Sequence, residues 1–482
     1  MADILLGHAY FLKHDVVERR VMKPYPPLGI LYLSAYLKRA GFDVGVFDAT
    51  FGDFEDFQRE LDRVRPEIVG LYANIITRDN VFRLARMAKA SGVRYVVVGG
   101  PDASEWCEQY FANGVDVVGT NEGERTLEEL IPRLQAGGAT RLDDIPGIIF
   151  NKDGTPHRTP PRPSIRDLDA LPWPDREALD MDAYFRAWKA HHGESSVSLI
   201  TARGCPFHCS WCSAEVFGHS HRQRSPKDVV DEMLALRERY DPDMFWISDD
   251  VLTINREWTR AFFREVRERN AVHRFECLSR ADLVDEEILR GLAESGCFRV
   301  WYGAESGSQK VLDSMRKGTR VEQVREAARV TQAMGMQAGF FILLGYPEET
   351  TADIRMTIDF LKETRPDVVG TSVAFPIKGT EFYERVEDRV VVDDNWTSRN
   401  QNKLLFRGKY PRIYYWFAVR WLVKEVAVDR MWRSPSRPHR RIAIEKAKAL
   451  VARAGVALVD LLSFYRRQPA PVERRVANEN RL

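Results

Sequence analysis

No part of this chain runs apolar for the roughly 18 uninterrupted residues that a membrane-spanning helix needs, so no such span is expected. The opening Met-Ala-Asp-Ile-Leu-Leu-Gly-His has no basic cluster before a long apolar run. A secretory leader is therefore not expected, and the cytoplasm is the expected compartment. Cysteine is scarce, six in 482 residues, which excludes a disulfide framework. Net charge is close to nil at +1, which argues against a dedicated nucleic-acid binder. No G-x-G-x-x-G follows the first apolar run, so a nicotinamide or flavin dinucleotide site is not expected. What is present, 44% hydrophobic and 29% charged, is ordinary globular composition. The length leaves room for two or three separate cores.

The few cysteines are concentrated. Cys205, Cys209 and Cys212 fall within Thr-Ala-Arg-Gly-Cys-Pro-Phe-His-Cys-Ser-Trp-Cys, a C-x3-C-x2-C spacing with Trp211 directly before the last thiol. Three thiolates this close on one loop can each take one iron of a [4Fe–4S] cluster. The fourth iron then lacks a nearby protein ligand and can chelate a small molecule. A zinc site would want a fourth Cys or His at matching spacing, and His208 lies inside the loop, where it could not close a tetrahedron without strain. Disulfide pairing would leave one thiol over. Cys107, Cys277 and Cys297 are scattered, and Cys277 alternates with apolar neighbours as a small buried hydrophobe does.

Along the first 140 residues, Val- and Ile-rich runs at 4–7, 44–48, 68–73, 95–100 and 115–119 alternate with amphipathic segments at 28–39, 54–64, 81–90 and 124–134. This alternation predicts a doubly wound, Rossmann-like α/β domain over 1–140, with ligands at the carboxyl ends of its parallel strands. Residues 141–194 are rich in proline and carry the turn signal Lys152-Asp153-Gly154. They read as an ordered connector with one small hairpin, running over the surface of the second domain. His191 and His192, on a loop near its end, could face substrate, although solvated loop histidines are more common; His8 and His14 are read with the same caution. Over 195–385 the alternation resumes, with strands at 197–201, 244–248, 274–279, 299–304, 337–344 and 368–374 and five intervening helices. Six such units predict a partial (β/α)6 barrel with its chemistry at the strands' carboxyl ends. The cysteines follow the first of those strands. Residues 386–482 form a basic, aromatic region expected to be helical; within 401–482, 19 Lys and Arg face six Asp and Glu. A cap packed on the barrel with a solvated basic tail is the plain expectation. Arg and Lys beside Trp and Tyr is also the composition of surface helices that touch anionic lipid or admit an amphipathic substrate. RNA contact shares that composition, but no RNA-binding motif accompanies it.

The cysteine stretch resembles the signature of the radical S-adenosylmethionine (SAM) superfamily, and the resemblance extends over 196–381. It implies that Cys205, Cys209 and Cys212 hold the cluster and that SAM chelates the open iron. Ser248-Asp249-Asp250 stands where relatives often carry Gly-Gly-Glu, which implies that Asp249 or Asp250 pairs with the SAM ammonium; the alternative is a cap for the following helix. The resemblance places Arg280, at the third strand's end, on the SAM carboxylate through a two-pronged contact. Glu305, followed by Ser306 at the fourth strand's end, would meet a ribose hydroxyl or the methionine end. An Arg280–Glu305 ion pair across the barrel mouth is the structural alternative. Gly345, in Gly-Tyr-Pro-Glu-Glu, resembles the segment that passes the adenine, where glycine permits close backbone approach.

Pro26-Pro27-Leu28-Gly29-Ile30-Leu31, Val98-Gly99-Gly100-Pro101-Asp102 and Asn121-Glu122-Gly123-Glu124 resemble the cobalamin-binding domain fused before the barrel in B12-dependent radical SAM enzymes. That resemblance implies corrin contacts from Gly99, Gly100, Pro101, Glu122 and Gly123, with Tyr72 and Asn74 facing the cobalt. A degenerate domain that binds no cobalamin is the alternative. No D-x-H-x-x-G is present, so no histidine is marked as a lower cobalt ligand, and Asp102 stands where relatives often carry His. The nearest broad group includes anaerobic magnesium-protoporphyrin ester cyclases and radical SAM C-methyltransferases. It implies a 5′-deoxyadenosyl radical that activates a C–H bond of a hydrophobic or polycyclic small molecule, fed by an electron donor such as flavodoxin or ferredoxin, without nucleic acid. C-methylation and oxidative cyclisation both stay open, and no catalytic side chain is assigned. A methylthiotransferase would bring further N-terminal cluster cysteines, and 1–140 holds only Cys107. A binding protein that keeps both cofactors without turnover is the non-enzymatic alternative.

Overall fold

The computed structural model describes residues 2–137, 142–213, 217–392 and 404–465. Its first sheet contains β1 (Ile4–His8), β2 (Val44–Phe47), β3 (Ile68–Tyr72), β4 (Tyr95–Gly99), β5 (Val117–Gly119), β6 (Ile148–Lys152) and β7 (Thr155–Arg158), in the order β2-β1-β3-β4-β5-β6-β7. The first five strands are parallel. Helices α1 (Leu28–Arg39) and α4 (Glu124–Gln135) cover one face, α2 (Phe54–Val64) and α3 (Arg78–Ala90) the other. Burial on both faces is why these strands read as continuous apolar runs rather than alternating ones.

The Pro-rich segment departs from expectation. Its hairpin does not run over the second domain; β6 pairs antiparallel with β5 and the hairpin completes the first sheet. An antiparallel addition needs only a tight turn, whereas another parallel strand would need a crossover. Asp153 and Gly154 take positive φ values of 53° and 84°, the conformation a two-residue hairpin loop favours. The connector also forms a helix, α5 (Met181–His192), capped by Asp180 and ended by Gly193 in the left-handed region. Tyr184 of α5 donates to Asp48 at 2.7 Å, and Trp188 Nε1 donates to the Pro24 carbonyl at 2.8 Å, docking the helix on the first domain.

The second sheet is parallel throughout. It runs in sequence order from β8 (Ser196–Leu199) through β9 (Met244–Ile247), β10 (Phe275–Ser279), β11 (Cys297–Glu305) and β12 (Gln337–Leu344) to β13 (Val368–Val373). The connecting helices are α6 (Pro226–Tyr240), α7 (Arg256–Glu268), α8 (Glu286–Glu294), α9 (Val321–Ala333) and α10 (Thr351–Thr364). Sequential parallel neighbours joined by helices make the open barrel. Ser225, Asn255, Asp285 and Thr350 cap four of these helices through their side chains, so the strand ends and helix starts share the barrel face that carries the cysteines.

Two long helices complete the described chain, α11 (Arg412–Arg433) and α12 (His439–Tyr465), packed on each other. Tyr414, Tyr415, Trp421 and Leu422 of α11 enter the barrel core, and the Tyr414 hydroxyl lies 2.8 Å from Thr351 Oγ1. The basic tail expected after α12 lies outside the described residues.

The connector is locked to the barrel by charge. Arg176, buried, donates to Glu232 of α6 at 2.7 Å and to the Ser198 carbonyl at 2.8 Å, while Arg224 also holds Glu232. Burial raises the Glu232 carboxyl, but the two guanidiniums overcome that and leave it below its ordinary value. Removing the anion strands two buried cations. Glu232→Gln is expected to cost about 3–5 kcal/mol, read as a lowered urea midpoint; an unchanged midpoint would contradict this lock.

Candidate functional site

The loop after β8 carries Cys205, Cys209 and Cys212, the first two half-buried and the third open to a cavity. Backbone geometry holds it. Gly204 takes φ 84°, and a Cβ there would stand 2.2 Å from the Ser220 carbonyl oxygen, so only glycine fits. Ser210 donates Oγ to the Met315 carbonyl at 2.9 Å, lies 2.6 Å from the Tyr346 hydroxyl, and accepts Phe382 N–H at 2.8 Å. Among the described residues no three Cys, His, Asp or Glu side chains converge on a single ion. Desolvation, with nearby Asp250, pushes the Cys212 thiol up to about 12, and burial raises Cys205 as well. Arg280 and Lys317 pull the other way.

The strand ends around this loop sort the expected SAM contacts. Asp249 is buried and accepts Thr201 N–H at 2.7 Å and Ala202 N–H at 3.1 Å, together with the Thr201 hydroxyl. It braces the end of β8 and is not free for an ammonium; burial raises its carboxyl to about 6. Asp250 instead lines the cavity. Neither aspartate caps α7, whose cap is Asn255. Ser248 spends its hydroxyl on the Leu199 carbonyl. Arg280 and Glu305 do not pair with each other. Arg280 takes Asp282 in a two-pronged contact at 3.0 Å, lies over the Phe207 ring at 3.7 Å and reaches Cys209 Sγ at 3.9 Å. Glu305, in the left-handed region at φ 58°, accepts Lys317 Nζ at 3.1 Å. Ser306 bonds Thr357 and the Ser308 amide, a structural role. Gly345 at φ 86° faces the Tyr415 ring, 3.1 Å from where a Cβ would stand.

One cavity of about 910 Å³ joins this loop to the first domain. Its inner part is an apolar slot between the first sheet and helices α1 and α4, walled by Leu6, Val97, Leu127 and Leu130. Its outer part is bounded by Tyr72, Gly99, Gly100, Pro101 and Gly123 on one side and by Cys212, His219 and Asp250 on the other. Gly100, at φ 113°, would place a Cβ 2.1 Å from the Ala73 carbonyl oxygen, so the backbone is bare there by necessity. A slot of this size at the carboxyl ends of parallel strands, floored by glycine, fits a large cofactor with an inserted tail. Asn74 does not line it; its Oδ1 accepts the Ile76 and Thr77 amides. Asp102 turns away, buried against Arg78 and accepting the Tyr110 hydroxyl at 2.6 Å. His8, His14, His191 and His192 are not among the lining residues. Against expectation, His8 is buried with its Nε2 2.9 Å from Asp48, and His191 and His192 belong to α5 rather than a loop, with His192 on the Val21 and Met22 carbonyls.

Glu122 reaches the cavity wall but is spent on ions. It accepts Arg203 at 2.8 Å, Arg222 at 2.7 Å and the Ile165 amide at 2.8 Å. Glu124 takes the other arm of Arg203 at 2.6 Å, and that guanidinium lies between the Tyr32 and Phe217 rings. Sequence reasoning missed Arg203 and Lys317. Arg203, two residues before the first thiol, carried a positional signal; Lys317, remote in sequence, carried none.

Residues 199–361 match the Radical SAM superfamily model and residues 15–131 the B12 binding domain. The chain is 29% identical over 389 residues to an uncharacterized methyltransferase of Pyrococcus horikoshii, covering 79% of this chain and 83% of that protein. It is 29% identical over 380 residues to the anaerobic magnesium-protoporphyrin IX monomethyl ester cyclase of Rubrivivax gelatinosus, covering 77% and 68%. Among solved structures, the radical SAM methyltransferase TsrM of Kitasatospora setae, with cobalamin and [4Fe-4S] cluster bound, superposes at TM-score 0.71 with 20% identity, covering 91% of this chain and 90% of that one. The last likeness is one of fold.

Glu349 offers a pH test of how tightly the Gly345 segment is buried. Its Oε2 accepts Gly345 N–H at 2.6 Å, its Oε1 is buried without a partner, and burial pushes the carboxyl up from 4.5 to about 8. Between those two values the folded chain keeps a proton that the unfolded chain releases, so stability falls as pH rises through the window. Glu349→Gln keeps an oxygen for Gly345 and is expected to flatten that dependence in urea titrations. A variant with the parent's slope would contradict it.

Proposed function

This chain is a radical SAM enzyme with an N-terminal B12-binding domain, and from that premise we propose that it methylates an unactivated carbon of a hydrophobic small molecule. The observation that carries the reading is the shared cavity, which touches Cys212 and the glycine-floored strand ends of the first domain at once. Likeness to a methyltransferase across most of both chains supports it further. Its cofactors are a [4Fe–4S] cluster, SAM and cobalamin. Bound together, they supply reductive cleavage of SAM, hydrogen abstraction from carbon and a source of methyl.

In this reading Cys205, Cys209 and Cys212 each hold one iron. Arg280 steadies Cys209 and sets positive charge beside its sulfur. Asp250 receives the SAM ammonium, since Asp249 is already spent on β8. Lys317 and Glu305, paired at the end of β11, orient the methionine end. Gly345 is not assigned to the adenine, because the Tyr415 ring covers its face and Glu349 takes its N–H. Tyr72, Gly99, Gly100, Pro101 and Gly123 wall the corrin, and the apolar slot behind them takes its tail. The proposed division of labour assigns 1–140 and the added hairpin to cobalamin, 195–385 to cluster and SAM, and 386–482 to a C-terminal helical region. A reduced ferredoxin or flavodoxin in the cytoplasm is the proposed electron source.

Likeness to a cyclase over a similar span favours oxidative ring closure as the second reading. Anaerobic turnover with methyl-labelled SAM separates the two. Label in product is expected; 5′-deoxyadenosine with an unlabelled product would overturn methyl transfer in favour of cyclisation. Replacing all three loop cysteines with alanine is expected to abolish iron loading and deoxyadenosine formation together, and survival of either would contradict the ligand assignment.

A further inference from the structure

The C-terminal hairpin carries a surface that the proposed reaction does not use. Helix α12 is apolar on two sides. Ile442, Ala449, Ala452 and Val456 are buried. On the other side Ile444, Val451, Leu458 and Leu462 recur at steps of seven, seven and four residues, which stacks them in one stripe. All four are exposed, Val451 by 67% and Leu458 by 58%. Helix α11 adds exposed Ile413, Trp416 and Val423, with the Arg420 guanidinium 3.4 Å from the Trp416 ring centre.

A helix with one apolar side packed and a second apolar stripe left outward, between charged residues, has the pattern of a helix that lies at an interface. No described helix is long and apolar enough to cross a bilayer, and this stripe faces outward. Lying in the interface resolves both observations. Charge chooses the occupant. Residues 404–465 hold 13 Lys and Arg against four Asp and Glu, and Arg440 and Arg441 flank the first half of the stripe, beside Lys448, which pairs with Glu445 at 2.8 Å. A second copy of the chain would set those like charges against each other, whereas an anionic lipid surface attracts them.

We propose that the α11–α12 hairpin docks the enzyme on an anionic membrane surface, with the α12 stripe seated at the acyl boundary. This surface lies apart from the catalytic cavity, so its test does not depend on which reaction the enzyme performs. The full-length chain, floated with phosphatidylcholine vesicles with or without phosphatidylglycerol, is expected to partition at least about tenfold better onto the anionic ones, and less well at high salt. Val451→Glu with Leu458→Glu should remove that partitioning, with the parent's circular dichroism and thermal midpoint, because both side chains are exposed. Arg440→Gln with Arg441→Gln should weaken it without touching the stripe. Equal partitioning onto neutral vesicles, or full binding by the double glutamate variant, would overturn the proposal. So would self-association that this variant abolishes while the parent ignores vesicles, which would mark a contact between copies.

Discussion

The buried guanidinium of Arg203, held between Glu122 and Glu124, ties the two domains together beside the shared cavity. Taking three charges out of water is costly, and such a network holds only when its geometry satisfies every arm. Here it does: two carboxylates, a second arginine and the Ile165 amide close the set, with aromatic rings on either side. Arg203 is followed by Gly204 and then Cys205. The start of the cysteine loop is thereby referenced to the turn before α4, and the cavity between the domains keeps one shape.

That constraint gives the remaining features a common frame. The apolar slot under α1 and α4 and the Cys212 thiol share one cavity, whose two walls the same ions join. Positive charge beside the sulfurs, from Arg280 and Lys317, works against the burial that raises Cys205 and Cys212. Under the proposed ligand assignment the thiols would shed those protons on taking iron, and the cations would favour that state. The connector adds its own buried ion pair to the barrel through Arg176 and Glu232.

Features that depend on local spacing were legible in the sequence. Strand–helix alternation predicted both parallel sheets, and C-x3-C-x2-C marked the loop whose third cysteine opens on the cavity. Features that depend on long-range pairing were not. The hairpin after Pro146 joins the first sheet because β5 offered an open edge, which no local pattern reveals. Asp249 and Asp250 are neighbours of identical type, yet one braces β8 and the other faces the cavity, a distinction set by strand register. Asn74, expected to face cobalt, has a short side chain with two backbone amides within its reach, and it bonds those instead. Glu122, expected at the corrin, serves as an ion hub, because its partners lie 81 and 100 residues further along the chain.

The central claim is that one cavity sets cobalamin directly beside the three-cysteine cluster. Electron paramagnetic resonance on the chain loaded with cob(II)alamin and a reduced cluster tests it most directly. Two paramagnets sharing this cavity should split or broaden each other's signals, and the coupling should disappear when the loop cysteines are replaced. Fully loaded protein whose cobalt and cluster spectra simply add, with no interaction between them, would contradict the account.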